Sequence, residues 1–212
     1  MDWFPDWFGE TCAIVASGPS VDRSAIESLK GNCRVVVINN GLTLAPWADM
    51  LYAADGKWWD ANPEARSFEG LKVTPDLQAS LRYKQLKLIN LVTGDEKREN
   101  RISLERGVIG RGGNSAFQAL NLCVQFGAKT IVMHGFDFCG EHWHGPHPRT
   151  LRNPRPSSLA KWAAVLDAEA ASLKMMGIEV LNASEISVLK NYQRVSARWT
   201  TTRPTLMLQK CS

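Results

Sequence analysis

The segment Cys12-Ala13-Ile14-Val15-Ala16-Ser17-Gly18-Pro19-Ser20-Val21-Asp22 constrains the fold more than any other part of this chain. A short apolar run stops at a small-residue turn, and an amphipathic segment follows without a linker. A buried parallel strand delivers its chain to a helix N-terminus in this way. Ser17 and Gly18 leave room for a ligand beside the backbone, Pro19 sets φ for a first helical turn, and Ser20 or Asp22 supplies a cap. The free amide N–H groups of such a turn attract anions, so a phosphate-bearing ligand is the first expectation.

The alternation continues along the chain. Short runs rich in Val and Ile at 12–16, 34–38, 50–53, 87–91, 130–133 and 179–181 read as strands. Segments 22–29, 57–62, 114–126 and 157–176 read as helices. In 114–126 the residues Phe117, Leu120, Leu122 and Val124 recur at helical spacing. Gly127 and Gly177 stand where a glycine ends a helix. Strands alternating with helices predict an α/β fold: one Rossmann-like, doubly wound, mostly parallel sheet with right-handed crossovers. Segments 64–83 and 93–106 break the pattern and read as irregular. The stretch 139–156 holds four of the ten prolines and three of the four histidines. It is too long for a plain connection and reads as a lid or acceptor-binding loop inserted in a domain spanning 1–190. From residue 191 the periodicity fades, which marks 191–212 as a C-terminal extension.

The 212 residues suffice for one such domain with a proper core. The net charge of +4 permits an anionic partner and demands none. Arg149, Arg152, Arg155 and Lys161 form a basic stretch, either a solvated loop or a nucleic-acid contact. The cysteines at 12, 33, 123, 139 and 211 form no CxxC pair. Their odd number implies reduced thiols and a cytoplasmic protein. Nothing reads as a signal peptide or a membrane span. The Trp-Phe units at 3–4 and 7–8 read as a hydrophobic clasp on the domain.

In an open parallel sheet, ligands bind beyond the carboxyl ends of the strands. The turns expected there are Ser17-Gly18-Pro19-Ser20, Asn39-Asn40-Gly41, Asp55-Gly56-Lys57, Gly110-Arg111-Gly112-Gly113-Asn114-Ser115 and His134-Gly135-Phe136-Asp137-Phe138. Asn39 and Asn40 can donate and accept together, which suits a ribose or a base edge. Arg111 offers a planar fork to a phosphate, and Asn114 and Ser115 open a helix whose dipole points the same way. Neither GxxxxGK[ST] nor GxGxxG occurs, which excludes a P-loop kinase and argues against an ordinary dinucleotide oxidoreductase. His142, His144 and His147 are candidate general bases or acceptor contacts. With Asp137, Cys139 and Glu141 nearby, a metal is a further reading.

The turns Ala16-Ser17-Gly18-Pro19-Ser20, Asn39-Asn40, Arg111-Gly112-Gly113-Asn114-Ser115 and Gly135-Phe136-Asp137-Phe138, in this order over roughly 12–182, resemble the bacterial sialyltransferases of glycosyltransferase family 42. They are similar also to the related DUF115 proteins, among them the motility accessory factors and an archaeal pterin pyrophosphokinase. The resemblance implies a Rossmann-like domain binding a nucleotide-activated donor. It assigns Ser17, Gly18, Ser20, Asn39 and Asn40 to the nucleotide and Gly113, Asn114 and Ser115 to the donor's sugar. Those enzymes use tyrosines beside the donor phosphate, where this chain has Phe138 and Cys139. Their catalytic histidine stands just before the last long helix, where this chain has Pro156-Ser157, leaving only the earlier cluster His142 to His147 as a substitute.

Three readings follow. The first is a glycosyltransferase whose leaving group rests on the first helix terminus and Arg111. His144 or a neighbour would deprotonate the acceptor hydroxyl, and Asp55 or Asp137 would orient it or hold Mg²⁺ or Mn²⁺. The acceptor class stays open and includes modified nucleic acid; a homo-oligomer is compatible with the sequence. The second is a Mg²⁺-dependent diphosphotransferase using Asp55 and Asp137. The third is a non-catalytic nucleotide- or nucleic-acid-binding module with Trp58 and Trp59 as stacking platforms.

Overall fold

Strand β1 (Thr11–Val15) is the axis around which the chain winds, and it is buried on both faces. The structure, a computed structural model, describes residues 1–148, 150–151 and 153–199. Arg149, Arg152, Cys211 and the rest of 200–212 lie outside the described residues. From β1 the chain passes through α1 (Arg23–Glu27) to β2 (Arg34–Ile38), then β3 (Met50–Tyr52), α2 (Gly56–Ala61), β4 (Leu71–Thr74), α3 (Leu77–Arg82) and β5 (Lys87–Leu88). A two-stranded sheet of β6 (Asn90–Leu91) and β7 (Val108–Ile109) brackets α4 (Glu96–Glu99). Next come α5 (Ser115–Gln125), β8 (Thr130–His134), α6 (Pro156–Met175), β9 (Glu179–Asn182) and β10 (Gln193–Arg194).

The main sheet has the order β10-β9-β8-β1-β2-β3-β4-β5, and its pairings are parallel. Winding proceeds from β1 toward β5 and later resumes on the other side from β8 toward β10. The carboxyl ends of β1 and β8, in register at Val15 and His134, therefore form the topological switch point. This is the Rossmann-like α/β fold that the alternation predicts.

The two-residue period of β1 divides the core. Cys12 and Ile14 pack with Phe117 and Leu120 of α5 and Leu166 and Leu173 of α6. Ala13 and Val15 pack on the opposite face with Ile26 of α1, Trp58 and Trp59 of α2 and Ala79 of α3. Each fully buried aliphatic side chain contributes about 1.5–3 kcal/mol. Asn114 caps α5 by accepting from Phe117 N at 3.0 Å. Gly127 (φ 91°) and Gly177 (φ 72°) terminate α5 and α6 in the left-handed conformation expected of them. Trp7 is buried edge-on against Phe126 at 4.9 Å, so the N-terminal clasp docks on the end of α5, while Phe8 stays exposed.

Four segments depart from the sequence expectation. Segment 64–83, read as irregular, holds β4 and α3. The apolar run of β4 is interrupted by Lys72, whose buried ammonium is satisfied by the carbonyls of Phe68 and Gly70. Leu77 and Leu81 of α3 face solvent, which erases its apolar periodicity. The run 87–91 is two strands, since β5 pairs with β4 and β6 with β7, with buried Ile89 between them. Segment 93–106 contains α4, capped by Asp95, and Gln193–Arg194 joins the sheet edge as β10.

Candidate functional site

The turn after β1 and the turn after β8 are built into one another. Gly18 N donates to Gly135 O at 2.9 Å, and the Asp137 carboxylate accepts from Ser20 N at 2.9 Å and Ser20 Oγ at 2.6 Å. A Cβ on Gly18 would stand 2.2 Å from Asp137 Oδ2 and 2.4 Å from Gly135 O, so only glycine fits. Ser184 and Ser187 pin Phe136 from behind, Ser184 Oγ accepting from its N–H and Ser187 Oγ donating to its carbonyl, both at 2.7 Å. The switch point thus has rigid walls.

Over it opens a cavity of about 550 Å³. Its floor is Ser17, Gly18, Asn39 and Asp55 at the strand ends, and its side wall is Gly113, Asn114 and Ser115 at the start of α5. Asn114 Oδ1 takes the Phe117 amide and its Nδ2 donates to Gly112 O at 3.1 Å. That leaves the Ser115 and Ala116 amides and the Ser115 hydroxyl at the helix N-terminus for a ligand. Asn39 adopts φ 50°, a left-handed conformation that costs a non-glycine residue energy but suits asparagine. Phe138, across the cavity, has φ 53°. Two such residues lining one cavity mark it as the place where backbone strain is held.

The histidine loop closes the cavity from above. Trp143 N and His142 Nδ1 both reach Ser17 O, at 3.1 and 3.3 Å. A carbonyl only accepts, so His142 carries its proton on Nδ1 and keeps a lone pair on Nε2. His144 stacks on His142 at 5.1 Å, and His147 contacts both rings at 4.9 and 5.1 Å. Burial lowers all three pKa values. His144 falls to about 4, helped by its two neighbours. The rings are therefore neutral at pH 7. Leu151 and Trp143 anchor the loop in the core, and His147 N donates to Asn153 Oδ1 at 2.8 Å.

Of the residues expected from sequence, Ser17, Gly18, Asn39, Asp55, Gly113, Asn114, Ser115, His142 and His147 line this cavity. Others do not. Ser20 and Asp137 are spent on each other, and Asn40 Oδ1 accepts from Trp58 Nε1 at 2.9 Å. His144 lies behind His142. The expected first-helix cradle is absent too, because α1 has five residues and its N-terminus is filled by the Asp22 carboxylate. Arg111 faces a neighbouring depression, 3.6 Å from Glu99. Asp55 caps α2 by accepting from Lys57 N at 2.9 Å. Among the described residues no three His, Cys, Asp or Glu groups are placed to hold a metal ion. The pair Asp55 and Asp137 does not fit Mg²⁺ or Mn²⁺, since both Asp137 oxygens already face Ser20 donors. Trp58 and Trp59 are buried, so they are not stacking platforms for a nucleic acid. In the basic stretch, Arg155 is the N-cap position of α6 and Lys161 lies 3.6 Å from Glu96.

Sequence reasoning missed Trp162 and Gln118. Trp162 of α6 lines the cavity with its indole against Gly113. Gln118 accepts from Tyr52 OH at 2.9 Å and donates to Arg111 O at 2.8 Å, holding the glycine-rich loop to the sheet. A buried amide on an apolar helix face was the available signal.

Beneath the site, His134 is buried with Nε2 unpartnered, and burial pushes its pKa down to about 4. Between pH 6.5 and about 4 the unfolded chain binds a proton there that the folded chain does not. Stability is thus lost as pH falls below 6.5, by up to about 3 kcal/mol from this residue. Urea midpoints at pH 7 and 4.5 should differ accordingly, and His134→Phe should narrow the gap; an equal gap in the variant would refute the assignment.

No family profile and no curated protein matches the chain. Solved structures do. The MAf glycosyltransferase from Magnetospirillum magneticum AMB-1 superposes with a TM-score of 0.65 at 10% identity over 90% of this chain. This chain spans 34% of that protein's length. The sialyltransferase CstII from Campylobacter jejuni, in complex with cytidine-5'-monophosphate, gives 0.52 at 12% identity, covering 92% of this chain and 88% of that one. The same enzyme with a trisaccharide acceptor and CMP gives 0.50 at 12% identity, covering 88% and 86%. The fold is that of these glycosyltransferases. Among the described residues, no helix is long and apolar enough to cross a membrane.

Proposed function

We propose that this protein is a glycosyltransferase that moves a sugar from a nucleotide-activated donor to an acceptor hydroxyl. The observation that carries the reading is the α5 N-terminus, whose Ser115 and Ala116 amides open into a cavity at the switch point of a glycosyltransferase fold. The described lining contains no Lys or Arg. One helix terminus carries roughly half a positive charge, which suits a single phosphate. A nucleoside monophosphate leaving group, such as the CMP bound by the structural neighbour, matches that supply better than a diphosphate. Asn39, with no side-chain partner among the described residues, faces the ribose or base.

In the reaction, His142 Nε2 takes the acceptor proton as the acceptor oxygen bonds to the anomeric carbon. The bond from that carbon to the phosphate oxygen breaks, and the charge left on the phosphate is met by the helix amides. The diphosphotransferase reading calls on Asp137, whose two carboxylate oxygens already accept from Ser20.

A thermal-shift series with CMP, UDP, GDP, ADP and ATP, with and without Mg²⁺ or Mn²⁺, tests this. A nucleotide at 100 times its dissociation constant stabilises the fold by about 2.7 kcal/mol. A metal-independent shift with a nucleoside monophosphate is expected. A shift confined to ATP with Mg²⁺ would favour the diphosphotransferase, and no shift at all would overturn the donor site.

A further inference from the structure

A second depression of about 400 Å³ lies beside the central cavity, and Gly113 and Trp162 belong to both. Its polar lining comes from three elements: Glu96 and Glu99 with Asn100 at α4, Arg111 from the glycine-rich loop, and Lys161 on α6. Arg111 to Glu99 and Lys161 to Glu96 both measure 3.6 Å, longer than a hydrogen bond. Each head group therefore keeps hydrogen-bonding capacity for a ligand. Lys161 and Glu96 are largely exposed, and the Asn100 carboxamide has no side-chain partner among the described residues.

Among the described residues the charges cancel, two cations against two carboxylates. A nucleic acid draws its affinity from cations free to displace counterions, and here each cation faces its own glutamate. An uncharged polyol has the opposite needs. Its neighbouring hydroxyls want donors and acceptors side by side, which guanidinium, carboxylate and carboxamide provide in planar pairs. Its ring presents a polarised C–H face that suits the negative π-face of an indole. Trp162 lines both depressions, so a ring seated in the smaller one is within its reach while a donor occupies the larger.

We infer that the second depression is the acceptor subsite, and that the acceptor group seated there is an uncharged, polyhydroxylated ring of carbohydrate type stacked on Trp162, not a nucleic acid. The inference rests on the central cavity being the donor site. It reassigns Arg111 from the donor phosphate to the acceptor.

Saturation-transfer NMR in the presence of CMP, with neutral methyl glycosides of glucose, galactose, mannose and N-acetylglucosamine as probes, tests it. A 12-mer single-stranded DNA serves as the competing probe. Expected are saturation of at least one glycoside, a loss of affinity of about tenfold in Arg111→Ala (one charge-assisted contact), and a comparable loss in Trp162→Ala. Lys161→Ala, at an exposed position, reports the same loss without risk to folding. The CMP-induced thermal shift should persist in Arg111→Ala. Glycoside binding that is indifferent to Arg111 and Lys161, or DNA binding that Arg111→Ala weakens with no glycoside binding, overturns the inference while the CMP shift leaves the donor site standing. Absence of any nucleotide shift with Arg111-sensitive glycoside binding overturns the donor site instead.

Discussion

Gly18→Ala should abolish the nucleotide-induced thermal shift and destabilise the protein by about 2–3 kcal/mol, at the upper end of overpacking costs. The added methyl would meet Asp137 Oδ2 at 2.2 Å and the Gly135 carbonyl at 2.4 Å. Neither neighbour can retreat. Gly135 O holds Gly18 N, and the Asp137 carboxylate holds both donors of Ser20. Pushing them apart opens the turn that carries Ser17, and with it the carbonyl on which His142 and Trp143 rest. Asp137→Asn is the gentler probe. It keeps the volume: the carboxamide oxygen still accepts from Ser20 N and the amide N–H donates to the Ser20 hydroxyl, so charge-assisted bonds are exchanged for neutral ones at a cost of about 1 kcal/mol. Chemical denaturation reads the stability and nucleotide titration reads the site. A Gly18→Ala protein with wild-type stability and an undiminished shift would show that the two turns are not locked together.

That lock also explains how far the sequence could be read. The strand–turn–helix at 12–22 and the Gly-Phe-Asp-Phe turn are legible separately, because each is a local pattern of apolar run and small residues. Their mutual grip is not, since it joins Ser20 to Asp137 across 117 residues. Asp137 therefore reads as a free carboxylate, a candidate ligand or base, when it is a wall. Arg111 fails differently. Gly112 and Gly113 take φ 54° and 78°, and the loop puts the guanidinium beside Glu99 while its own carbonyl is held by Gln118. Nothing in the local spacing encodes that. The Asn114 cap, by contrast, is visible as a polar residue ahead of a periodic run, and it places the α5 N-terminus correctly. Among the histidines, spacing gives the cluster but not its depth, so His142 against the cavity and His144 behind it become distinguishable only with the loop folded onto Ser17.

His142→Gln should lower the rate of transfer by about 10²–10⁴-fold while leaving the nucleotide-induced shift in place. Glutamine retains an N–H for Ser17 O but offers no basic nitrogen, so the loop stays seated and only the proton acceptor is lost. The pH profile gives an independent reading. Burial sets the His142 pKa below its ordinary value of 6.5, partly opposed by the Ser17 carbonyl. The base is then neutral at pH 7, and kcat/KM should fall as pH drops through that lowered pKa, giving an acid limb on the low side of 6.5. The limb should vanish in His142→Gln, because no group in the variant needs to stay deprotonated. His144→Gln should keep the limb and shift it upward if at all, since the substitution removes a neighbouring imidazole and opens room around the ring. A His142→Gln protein that retains a tenth or more of the wild-type rate, or still shows the acid limb, would move the base elsewhere. His147, the other imidazole lining the cavity, would then be the residue to replace.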